Sequence, residues 1–311
     1  MDTERIIPAS LLRKEQVHFA ALNDAEHGAV TKYVELVRHI QEIGQLFSVF
    51  RYHLERLTQV YDLTASDAVV RRLPPAGDFD DRTEINALIT ALLGAGATLD
   101  HSLQVCIRHS GADTEAFDRL RTQVYDSSFY YRLLTKLRDF SQHGHLAVCV
   151  RDGRFGFDLA QILATPHFRH KAETRQEMEA FCAQLSAHER EGRLVFTLSL
   201  AEYAAGIAAL YDGFLRQVRQ PLAGRTQAVH ALLQRTPEHI RHPDPSNNGI
   251  LLYISDDAGH ALDTREDFSP VFDRLQEEGA RFLQFHRREL ALLRRSGHFV
   301  PLDTPSDAEL S

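Results

Sequence analysis

The chain has 311 residues, of which 43% are hydrophobic and 25% charged, and a formal net charge of -8. Those proportions exclude a disordered or fibrous chain, and the negative balance excludes a protein that coats nucleic acid by bulk charge. Cys106, Cys149 and Cys182 lie far apart with no CxxC pair; they read as small buried hydrophobes in a reducing compartment, not as a disulfide framework.

The N-terminal stretch MDTERIIPASLLRKEQ lacks the apolar core of a secretory signal, and no apolar run has the length of a membrane span. A cytoplasmic location and no membrane partner are the expectation. The first periodic segment runs from Thr31 to Leu63, with Val34, Val37, Ile40, Ile43, Leu46, Phe47, Phe50, Leu54 and Leu57 at three- and four-residue steps. Such a stripe belongs to a helix packed on one side. The connector RRLPPAGDFDDR follows.

A second helix is predicted from Thr83 to His109. Its small residues Ala91, Gly94, Ala95, Gly96 and Ala97 permit close approach by a neighbouring helix. SGADTEAFDRLRTQVYDSS reads as a loop with a helical turn or more. The next helix, SFYYRLLTKLRDFSQH, has Ser127 or Ser128 as its N-cap and Gly144 as its stop. Past the glycine, residues 146–158 read as a small hairpin around Asp152 and Gly153.

The charged stretch ETRQEMEAFCAQLSAHERE is predicted helical. RLVFTL reads as a short strand, and Ser199 as the cap of a helix that carries Tyr203, Ile207, Leu210, Tyr211 and Phe214 on one side. TPEHIRHPDPSNNG is irregular, ILLYISDD is a strand, and FSPVFDRLQEEGARFLQFHRRELALLRRS is a final helix. The class is mainly α: a helical bundle with a small β-hairpin insertion and extra N- and C-terminal helices. Three segments are expected: N-terminal helices at 1–73, the bundle at 83–220, and a helical extension at 221–311 packed on the same core.

Chemistry concentrates in RDFSQH. His143 can give and take a proton near neutral pH. Asp139 stands four residues earlier on the same helical face and can orient the imidazole. Arg138 brings forked donors suited to a phosphate oxygen. A proton shuttle beside a phosphate clamp meets the needs of RNA cleavage by the ribose 2′-hydroxyl, without a metal or other cofactor. Five residues turn an ideal helix by about 140°, so Arg138 and His143 do not share a face by spacing, and a second copy across a dimer would assemble them more easily. The plainer reading is that both groups meet the negative end of the helix dipole.

Around this stretch, between Phe129 and Arg175, eight cations face four acids. Arg132 and Lys136 are candidate RNA contacts. Tyr130 and Tyr131, beside Phe129, are candidates for base stacking, or for core. His239, His242 and His230, and the pair His167 and His170, read as polar loops and not as metal ligands. HExxH, P-loop and GxGxxG patterns are missing from the sequence.

Arg138, then Asp139, then His143 after four intervening residues resembles the signature of the HEPN superfamily (higher eukaryotes and prokaryotes nucleotide-binding). In that family an arginine, commonly followed by a polar residue, precedes a histidine near the end of a long helix in a helical bundle. The resemblance covers roughly Thr83 to Val148, with Leu200 to Gln220 as a later bundle helix. It implies a metal-independent ribonuclease acting as a homodimer in a toxin or phage-defence role, with an antitoxin or regulatory partner, or else a non-catalytic scaffold of the same fold. It further implies His143 as general acid or base, Arg138 as stabiliser of charge at phosphorus, and Asp139 as orienting group. Ser141, Gln142 and His145 would support the site, and Asp100 or His101 would reach it from the preceding helix.

Overall fold

The computed structural model describes residues 24–62, 70–73, 79–142, 148–151, 154–157, 196–234, 243–244, 249–255, 261–265 and 268–295, with a few isolated positions between 162 and 183. The described chain is mainly helical. In order it comprises α1 (Asp24–Val60), β1 (Tyr61–Asp62), β2 (Val70–Arg71), α2 (Asp81–Ser110), α3 (Thr114–Ser127), α4 (Phe129–Gln142), β3 (Val148–Arg151), β4 (Arg154–Phe157), α5 (Phe196–Gln234), β5 (Pro243–Asp244), β6 (Gly249–Ser255), β7 (Ala261–Arg265) and α6 (Ser269–Arg295). Strand pairing is antiparallel throughout: β1 with β2, β3 with β4, and β5–β6–β7 in one small sheet.

Several elements depart from the sequence expectation for identifiable reasons. α1 starts seven residues before Thr31, where the periodic segment begins, and the buried line runs through Tyr33 and Leu36 where Val34 and Val37 were expected. The segment expected to be mostly loop after α2 is the 14-residue helix α3. Gly111, at φ 82°, stops α2, and Phe117 and Val124, two turns apart, then bury on one side of a new helix. Ser199 is not a cap: it lies buried inside α5, which already begins at Phe196. α5 also runs on through Pro221, where the C-terminal extension was expected to start, to Gln234. Of the predicted helix at 173–191 the described residues are 176, 179, 180 and 183, all helical, and the hairpin turn Asp152-Gly153 falls outside the described residues.

Two compact units emerge, and α1, α2, α5 and α6 each contribute one part to each. The first contains, among described residues, 24–44, 104–114, 214–234, the three-stranded sheet and 268–278. Here Arg225 of α5 donates to Ser110 O at 2.7 Å and Lys32 O at 2.8 Å, so one guanidinium satisfies a carbonyl at the end of α2 and another in α1. Cys106 is buried beside it, and that burial pushes its thiol up to about 12, as suits an inert packing residue.

The second unit contains the remainder, and α5 is its centre. Between Ser199 and Tyr211 α5 is buried on nearly every side, the signature of a helix enclosed by others. Phe47 of α1 stacks on Tyr211 with centroids 4.0 Å apart, and Phe50 meets Tyr203 edge-on at 6.0 Å. Tyr131 of α4 stacks on Tyr203 at 5.5 Å. Two glycines make room for these rings: a Cβ on Gly96 of α2 would strike the Tyr203 hydroxyl, and one on Gly206 would strike the Tyr131 ring. The cluster of small residues in α2 thus admits Tyr203 of α5.

Asn86, 2% exposed, joins α2 to β3. Its amide nitrogen donates to Val148 O at 2.9 Å and to Arg82 O at 2.8 Å, and its oxygen accepts from Val148 N at 2.9 Å. Both backbone groups of a fully buried residue are therefore satisfied by one side chain.

Two outcomes follow for equilibrium urea unfolding. Gly206→Ala overpacks the Tyr131 contact and lowers stability by about 1–3 kcal/mol. Gly224→Ala, in the same helix but with nothing within 4 Å of the added carbon, raises it by up to about 1 kcal/mol through helix propensity. Equal effects at both positions would contradict the packing described. Asn86→Ala leaves the Val148 amide and carbonyl buried without their partner, and the midpoint falls by an amount worth about 2–3 kcal/mol.

Candidate nucleic-acid site

The candidate site is built on α4, and its first turn is fixed from α5. Ser128 caps the helix by accepting from Tyr131 N at 3.1 Å, while its hydroxyl donates to Glu202 Oε2 at 2.6 Å. The same carboxylate oxygen accepts from Tyr130 N at 3.4 Å. Glu202 is 8% exposed, and its charge meets the positive end of the α4 dipole. The sequence reading missed this residue. Its signal was available: Glu202 and Asp212 are the two charges between Phe196 and Leu215, and a carboxylate in so apolar a helix needs a buried partner.

Along α4, Arg132, Lys136 and Asp139 follow at steps of four and three, which places them on one stripe, and all three are half-buried. Arg138 leaves the helix from another side. Its Nη1 nevertheless donates to Asp139 Oδ1 at 2.9 Å, with the two side chains 33% and 45% exposed. Adjacent helical residues do not face each other by geometry, so this pairing draws the guanidinium round toward the stripe. The Arg138 Nε is buried and has no hydrogen-bond partner among the described residues.

A second, half-buried polar contact joins α2 to α3. Asp100 of α2 accepts from Arg121 of α3 through both oxygens, at 3.0 Å each, a forked pair of the kind that fixes both side chains. Burial first, and Asp100 second, push the Tyr131 hydroxyl above its ordinary range. Burial likewise raises Tyr203, with Tyr131 and Asp100 acting in the same sense and Arg138 against them. Asp100 and Arg138 therefore act on one hydroxyl, that of Tyr203, which lies 3.5 Å from Leu93 O.

The predicted site residues divide accordingly. Arg138 and Asp139 are brought together, and Arg132 and Lys136 lie on the same stripe of α4 as Asp139. Asp100 is held by Arg121, and His101 is exposed. Ser141 donates to Leu137 O of its own helix at 3.0 Å. Tyr130 and Tyr131 are 7% and 6% exposed: of the two readings, base stacking or core, their burial fits core. Gln142 closes the described helix, and His143, Gly144 and His145 lie outside the described residues.

Among the described residues, no three His, Cys, Asp or Glu side chains converge in a way that could hold a metal ion. His167, His170, His239 and His242 fall outside them. Among the described residues, too, no helix is long and apolar enough to cross a membrane. Comparison with protein-family models, with curated proteins and with solved structures finds no match to this chain.

Proposed function

We propose that the chain is a HEPN-like, metal-independent endoribonuclease of the cytoplasm, working as a homodimer in a toxin or antiviral-defence setting under the control of an antitoxin or regulatory partner. In this reading the β3–β4 pair is an insertion in a HEPN-like bundle. The observation that carries it is the Arg138–Asp139 pair at 2.9 Å in the last turns of α4, with His143 next in the sequence order Arg-Asp-x-x-x-His. The ribose 2′-oxygen attacks phosphorus, and the bond to the 5′-oxygen breaks. His143 carries the proton, as base for the 2′-hydroxyl or as acid for the departing oxygen. Arg138 stabilises the charge that grows on the phosphoryl oxygens, and Asp139 orients its guanidinium. The products are a 2′,3′-cyclic phosphate and a 5′-hydroxyl end.

A second reading, a non-catalytic HEPN-like scaffold or regulatory protein, is favoured by another aspect of the same contact: Arg138 is engaged by its own neighbour, and Asp100 by Arg121. One experiment separates the two. Wild type, Arg138→Ala and His143→Ala proteins are incubated with RNA in the presence of a chelator. The ribonuclease reading expects cleavage by wild type and a loss of about 10²–10⁴-fold in either variant, with cyclic phosphate ends. If wild type cuts nothing, or both variants cut as well as wild type, the scaffold reading replaces it. Sedimentation of the same preparations tests the dimer.

A further inference from the structure

We infer that α4 holds a single strand of RNA by its phosphates and not by its bases. This rests on the ribonuclease reading and names the kind of contact that its site makes. Base stacking needs open aromatic faces, and Tyr130 and Tyr131 have withdrawn theirs. Tyr131 lies between the Tyr203 ring and Gly206. Tyr130 packs edge-on against Phe129 at 5.0 Å, and its backbone is bound to Glu202. The polar stripe of α4 offers cations instead: Arg132, Lys136 one turn on, and the Arg138 guanidinium drawn toward them by Asp139. Guanidinium and ammonium groups are donors without acceptor capacity, and phosphate contacts of this kind fix the position of a strand without reading its sequence.

The test uses the full chain and short fluorescent 2′-O-methyl homopolymers of U, A and C, which resist attack by the 2′-oxygen. Their affinities are measured by anisotropy over a range of salt. The expected result is three dissociation constants within about threefold of one another. With three phosphate contacts at about 0.7 each, log Kd should rise against log salt with a slope of about 2. Arg132→Ala and Lys136→Ala should each weaken all three polymers alike and reduce that slope by about 0.7. A preference of about tenfold for one base, or a Phe129→Ala variant that loses as much affinity as Arg132→Ala, overturns the inference and leaves the ribonuclease reading standing. Binding of none of the three overturns both.

Discussion

The second unit depends on close approach of α5 to its neighbours, and that approach depends on two missing methyl groups. Gly96 leaves room for the Tyr203 hydroxyl and Gly206 for the Tyr131 ring, so α2, α4 and α5 meet through aromatic side chains inserted into backbone-deep notches. Packing at such density responds to the addition of a single carbon. The arrangement of the site follows from it. Tyr131 precedes Arg132 directly, and with its ring fixed on Tyr203 the helical phase of α4 is fixed as well. That phase decides which way the stripe of Arg132, Lys136 and Asp139 faces.

The functional reading turns on what the Arg138–Asp139 pair is for. An arginine whose Nη1 is bound to its neighbour holds charge at a defined place, and the guanidinium has more N–H groups than the one that this bond uses. A carboxylate beside a phosphate-binding guanidinium also sets its orientation before any substrate arrives, which lowers the cost of ordering it on binding. The same pair in a scaffold would be a surface contact of small energetic value. Chemistry and packing alike are compatible with the contact, and reactivity toward RNA is what separates the two readings.

Much of the architecture was legible because helical periodicity is a strong local signal. The positions of α2, α4 and α6, the cap at Ser128 and the close-packing role of the small residues in α2 all follow from spacing and residue type. The extent of α5 was not legible: RLVFTL has the composition of a strand, yet its last three residues open the helix, and Pro221 suggests a stop, yet the helix runs on through it to Gln234. α3 escaped because its stripe holds few buried residues. Within the site, Asp139 was readable as an orienting group, although its spacing aimed it at His143 and its contact is with Arg138. The Asp100–Arg121 pair and the Glu202 contact were not, since they join residues 21 and 74 positions apart and no local pattern encodes such pairings.

The Asn86 side chain has a further consequence for β3 and β4. Val148 stands opposite Phe157 in their register, and both are fully buried. A slip of one residue would reverse the inward and outward faces of β3 and present Cys149 where Val148 now packs. A two-stranded ribbon this short has little of its own to prevent that. By bonding both backbone groups of Val148, Asn86 behaves as a third strand one residue long, and α2 thereby acts as the template that sets the pairing.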